Sequence, residues 1–81
     1  MIVRVRYFAS FRDHVGKDED RLPLAEGTRV GQLWEDLARR VPHFAAFRAM
    51  PPAAVNCDYA EAARILRDGD EVAFLPPVAG G

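Results

Sequence analysis

The chain has 81 residues with a formal net charge of −1, about half of them apolar. This is enough for one small domain and too little for two, and its modest core leaves no room for an enclosed multi-residue active site. The charge balance points to neither nucleic acid nor an anionic membrane. A single cysteine, Cys57, excludes an intrachain disulfide and a cysteine metal cage. With no signal-peptide pattern and no apolar run near the ~20 residues of a membrane span, the expected location is the cytoplasm.

Ile2 to Phe8 alternates as a strand, with Val3, Val5 and Tyr7 on one face and Ile2, Arg4, Arg6 and Phe8 on the other. Ser10 is placed to cap a short helical turn that pairs Phe11 with Val15, and Gly16 is a natural C′ stop. Asp18 to Leu24 reads as a second strand, antiparallel to the first. Thr28 then serves as the expected N-cap of the main helix, in which Val30, Leu33, Trp34, Leu37 and Val41 recur at helical spacing. Asp36, Arg39 and Arg40 fall on its solvent side, and Pro42 ends it. His43 to Met50 suggests another helical piece through Phe44 and Phe47. Pro51-Pro52 forces extended backbone, leading into a strand over Ala53 to Cys57. Asp68-Gly69-Asp70 signals a turn before the last strand, Glu71 to Leu75, which Pro76-Pro77 closes.

The order strand, strand, helix, strand, strand, with the first and last strands central and parallel, is the β-grasp arrangement. It is an α+β fold with a mixed sheet and one main helix packed on one face. Residues 1–76 are expected to form this domain and 77–81 a flexible Gly-Gly tail.

The side chains offer no catalytic constellation. His14 and His43 have no motif partner and read as surface or capping residues. Cys57, in an apolar strand context, reads as a buried inert thiol. Asp18, Glu19 and Asp20 make a solvated charge run, and Asp68 and Asp70 serve their turn. There is no phosphate loop, metal-ligand spacing or nucleophile–base pair. No bound cofactor is expected.

The terminus differs. Leu75-Pro76-Pro77-Val78-Ala79-Gly80-Gly81 ends the sequence. A terminal Gly pair arises by chance in roughly one chain in 200, so it is the setting that adds weight. Pro76 and Pro77 stop further strand pairing, and Gly80 and Gly81 lack the Cβ atoms that would bar a narrow channel. The unhindered Gly81 carboxylate becomes an acyl donor once adenylated, and a sulfur nucleophile then converts it to a thiocarboxylate. The plain alternative is a frayed end without a role.

Three stretches carry a family resemblance: Tyr7-Phe8-Ala9-Ser10-Phe11-Arg12-Asp13-His14-Val15-Gly16; Ala54-Val55-Asn56; and Asp68 through Gly81 with its Pro-Pro-Val-Ala-Gly-Gly ending. Together they resemble the small subunits of molybdopterin synthase, sulfur carriers related to the thiamine-pathway carrier and to ubiquitin. Pro42 to Pro52 and Cys57-Asp58 match no motif of that family.

The resemblance implies that an E1-like adenylyltransferase adenylates Gly81 with Mg-ATP and that a sulfurtransferase system supplies the sulfur. The tail from Pro76 through Pro77, Val78, Ala79 and Gly80 would insert into the large synthase subunit. Sulfur would pass there to cyclic pyranopterin monophosphate, within a heterotetramer whose large subunit supplies the catalytic side chains. Phe8, Leu75 and Tyr59 would form an exposed apolar docking patch, with Arg4 and Arg6 facing acidic partner groups. Alternatives are a thiamine-pathway carrier, a ubiquitin-like modifier that joins lysines, and an interaction module with an inert tail. A plant-type ferredoxin shares the fold but needs four cysteines.

Overall fold

A computed structural model describes residues 1–76. Its elements run β1 (Ile2–Arg6), α1 (Ala9–Val15), β2 (Glu19–Pro23), α2 (Val30–Arg40), α3 (Pro42–Ala45), β3 (Ala53–Val55), β4 (Asp58–Ala60) and β5 (Glu71–Phe74). The sheet order is β2-β1-β5-β3-β4. β1 and β5 are parallel, with Arg6 opposite Ala73, and the other neighbouring strands pair antiparallel. This is the expected β-grasp, an α+β mixed sheet, with one strand more than the sequence pattern indicated.

The alternation of β1 sends Val3, Val5 and Tyr7 into the core, where they meet Val72 and Phe74 of β5, Ala53 and Val55 of β3, and the apolar stripe of α2. That stripe is Val30, Leu33, Trp34 and Leu37, all buried. Trp34 anchors an aromatic cluster, with ring centroids 5.0 Å from Phe44, 5.0 Å from Phe74 and 5.7 Å from Phe47. Burial of this set supplies most of the hydrophobic drive in so small a domain.

Several local expectations are corrected. Arg29, not Thr28, is the N-cap of α2. The first helical N–H groups, which need acceptors from outside the helix, find them at a distance. Val30 donates to the Arg64 carbonyl and Gly31 to the Ala62 carbonyl, each at 2.9 Å. Gly31 permits this approach, because a Cβ there would meet that of Ala62 at 2.9 Å. Thr28 instead donates its hydroxyl to the Ala25 carbonyl.

Ser10 lies inside α1, whose N-cap is Phe8; Gly16 does stop it, with φ 88°. The third strand ends at Val55 rather than Cys57. Asn56 and Cys57 form a two-residue turn with φ of 50° and 72°, the left-handed pair that matches the twist of a tight hairpin. That hairpin creates β4. Cys57 is consequently exposed, not buried.

Candidate functional site

β5 leads to the C-terminal segment, so the surroundings of its last residues define the site. Cross-strand partners share a face of the sheet. Arg6 pairs with Ala73, Ala73 with Ala54, and Ala54 with Tyr59, giving a row across four strands on the face away from α2. The two alanines at the centre of the row leave a depression of about 230 Å³, lined by Arg6, Phe8, Ala54, Cys57, Glu71, Ala73 and Leu75. Phe8 and Leu75 thus come together as the alternation suggested. Tyr59 stands one strand beyond, on the same face.

This face is open to solvent at Phe8 and Tyr59. Phe8 is 41% exposed and Tyr59 82%, while Val3, Val5, Val55 and Val72 on the opposite face are fully buried; Leu75 is half-buried. The backbone explains why Phe8 faces out. Ala9 takes φ 47°, turning the chain sharply from β1 into α1, so the residue before the turn stays on the sheet's outer face.

The electrostatics of the face are lopsided. Arg4 and Arg6 both reach the same Glu71 oxygen, at 3.3 and 3.2 Å. Two cations share one anion, and Nε of Arg6 has no hydrogen-bond partner. The Arg6 guanidinium also sits 5.4 Å from the Phe8 ring centre. The result is an apolar patch edged with surplus positive charge, suited to a partner surface that combines apolar and acidic groups.

Below the depression, Asn56 fixes the β3–β4 hairpin to β5. Its side-chain oxygen accepts from the Glu71 N–H at 3.0 Å, and its amide donates to Asp70 at 2.9 Å. The other Asp70 oxygen accepts from the Arg67 N–H, so the Asp68-Gly69-Asp70 turn forms as expected and also ties the hairpin down.

Pro77, Val78, Ala79, Gly80 and Gly81, on which the tail chemistry rests, lie outside the described residues; Pro76 is the last residue described. Among the described residues no group of three or more His, Cys, Asp or Glu is placed to hold a metal, and no helix is long and apolar enough to cross a membrane. His14 and His43, which have no motif partner in the sequence, stack at 3.5 Å with ring planes 10° apart, joining α1 to α3. Nothing local in the sequence signals that contact, because the two residues are brought together only by packing. The pairing of both arginines with Glu71 has no local signal either, although alternation along β1 places Arg4 and Arg6 on one face.

A mixed five-stranded sheet grasping one helix, with an apolar face beside the exit of its last strand, defines a β-grasp domain of the ubiquitin-like class. The ThiS family model matches residues 5–81, and the chain belongs to that family. It is 36% identical over 80 residues to the molybdopterin synthase sulfur carrier subunit of Mycobacterium tuberculosis, covering 98% of this chain and 96% of that one. Against the human protein of the same description the identity is 32%, covering 98% and 93%. Among solved structures, a candidate molybdopterin converting factor subunit 1 from Pyrococcus furiosus superposes with a TM-score of 0.85 at 37% identity, covering 96% and 99%.

Proposed function

We propose that this chain is the sulfur carrier subunit of a molybdopterin synthase and works through a thiocarboxylate on Gly81. The observation that carries the reading is the position of the Gly-Gly ending. In sequence it comes shortly after β5, which ends at Phe74 and lies mid-sheet beside an apolar face edged with positive charge. Full-length similarity to proteins described as sulfur carrier subunits of that synthase supports the same reading.

In the proposed sequence an E1-like adenylyltransferase docks on the Phe8, Leu75 and Tyr59 face. It joins the Gly81 carboxylate to AMP, releasing pyrophosphate from Mg-ATP. A sulfurtransferase persulfide then attacks the acyl carbon and the C–O bond to AMP breaks; a second thiol cleaves the S–S bond of the resulting acyl disulfide, leaving a disulfide on the sulfurtransferase, and Gly81 ends as –CO–SH. The large synthase subunit takes the tail, from Pro76 to Gly81, into its own site. There the sulfur passes to the pterin precursor and Gly81 returns to a carboxylate. This chain contributes docking and the reactive acyl group; the large subunit contributes the catalytic side chains.

The test is intact mass after incubation with the activating enzyme, Mg-ATP and a sulfur donor. A species heavier by the difference between sulfur and oxygen, mapped to Gly81, is expected. It should vanish on adding the large subunit and precursor. A protein lacking Gly81 should give no such species while still docking; sulfur transfer by that variant would overturn the reading. Lysine-linked conjugates in place of the thiocarboxylate would identify a protein modifier instead.

A further inference from the structure

The outer face of the sheet has a second charged corner. Alternation along β1 places Ile2, Arg4 and Arg6 on this face. Their antiparallel partners on β2 are Pro23, Arg21 and Glu19. Cross-strand partners share a face, so Arg6 meets an opposite charge and Arg4 a like one. Two arginines in that relation oppose strand pairing, and the sheet gains nothing from the charge of Arg21.

Arg21 is exposed, and among the described residues its guanidinium has no ion-pair partner. Arg4 divides Oε1 of Glu71 with Arg6. Beside Arg4 and Arg21 opens a hollow of about 400 Å³, lined also by Ile2, Asp68 and Gly69. Asp68, the acid of that hollow, accepts from the Ile2 N–H through Oδ1 at 2.7 Å. Among the described residues it pairs with neither arginine. Gly69 donates its N–H to the Ile2 carbonyl at 2.8 Å, which holds the turn against the start of β1. Ile2 leaves 46% of its surface open, so one aliphatic side chain and two guanidiniums border the hollow.

Arg4 lies opposite Glu71, where β5 begins, so this corner is at the far end of the face from Phe8 and Leu75. At a rise of about 3.3 Å per residue, Ile2 lies about 13 Å from Arg6 along β1. An interface of ordinary size covers about 800 Å² on each partner, a patch about 30 Å across. A protein docked over Phe8 and Leu75 is therefore wide enough to cover this corner as well.

We propose that Ile2, Arg4 and Arg21 form a second contact cluster for the large synthase subunit, taking an acidic side chain that apolar surface flanks. The proposal rests on the carrier reading above and adds to it a residue, Arg21, that selects the partner by charge. The Arg21 guanidinium donates to the incoming carboxylate, and that carboxylate relieves the repulsion between Arg21 and Arg4. The chain as a whole carries a net charge of −1, so its attraction for an acidic group is local, and this corner supplies it.

Surface plasmon resonance against the large subunit, at low and high salt, tests this. Arg21→Gln should weaken binding roughly three- to tenfold at low salt, mostly through slower association, and the gap should narrow at high salt. Arg21→Glu should lose more, and Arg21→Lys should stay within about twofold of wild type. Arg48 borders a groove with Trp34, Ala38 and Phe44 on the helical side. Arg48→Gln makes the same change in net charge there and should bind as wild type does. Free Arg21→Gln should unfold at an equal or higher denaturant concentration, because a like-charge pair is gone. Undiminished binding by Arg21→Gln would overturn the proposal, as would an equal loss in Arg48→Gln. A lowered unfolding midpoint would overturn it too, by making Arg21 part of the fold. Binding that falls with Phe8→Ala but not with Arg21→Gln removes this cluster and leaves the carrier reading standing. No binding by the wild-type chain removes both.

Discussion

Truncating Phe8 to alanine separates docking from folding. Phe8 retains 41% of its surface in the free protein. An aromatic side chain offers about 200 Å², so about 80 Å² remains for a partner to cover. At about 25 cal/mol per Å² that is about 2 kcal/mol, or roughly 30-fold in Kd for the large subunit. The roughly 120 Å² already covered in the free protein, against Arg6 and the rim of the depression, sets an upper limit of about 3 kcal/mol on the accompanying loss of folding stability. Titration calorimetry against the large subunit, paired with thermal unfolding of the free variant, measures both quantities. A Kd within about threefold of wild type with unchanged unfolding would show that this face is not where the partner sits. A loss of stability well beyond about 3 kcal/mol would show instead that Phe8 belongs to the core.

The remaining predictions concern the fold that carries the face. Trp34→Ala should lose about 3–5 kcal/mol of stability in denaturant titration, since it empties the centre of the aromatic cluster. Cys57→Gly should raise stability by about 0.5–1 kcal/mol, read as a shift in denaturant midpoint, because glycine relieves the left-handed φ of 72° at an exposed site. Burial, and then the 2.9 Å hydrogen bond from its hydroxyl to Asp20, make Tyr7 ionise at higher pH in the folded protein than in the unfolded chain. Its contribution is therefore complete below about pH 10, the unfolded range, and declines as the pH rises beyond it. Tyr7→Phe should be less stable by about 1 kcal/mol at neutral pH, through loss of the bond to Asp20, and should lack this alkaline decline. Unfolding midpoints taken from neutral pH to about pH 11 would check both effects.

Much of this architecture is written in local pattern. The alternation of β1 assigns Val3, Val5 and Tyr7 to the core and Arg4, Arg6 and Phe8 to the opposite face. The spacing of Val30, Leu33, Trp34 and Leu37 produces the packed stripe of α2, and Asp68-Gly69-Asp70 announces its turn. These features depend on neighbours two to four residues away, which a sequence displays directly. The ending Gly80-Gly81 likewise needs no fold to be noticed, and the chemistry assigned to it is a reading of covalent structure.

Tertiary structure alone decided the contacts between segments distant in the chain. Leu66 is 1% exposed although its stretch shows no periodicity, because its N–H bonds to the Thr28 carbonyl and a loop carries it into the core. Thr28 lost the cap of α2 because carbonyls of residues 62 and 64 already satisfied the helix's first donors. Cys57 left the core because Asn56, tied to Asp70 and Glu71, stabilises a turn where apolar composition had suggested continued strand. The stacking of His14 on His43, the sharing of Glu71 by two arginines, and the bond from Tyr7 to Asp20 have the same origin. Each joins groups whose proximity depends on how the sheet and helices close upon one another, and that closure is a property of the whole chain rather than of any window along it.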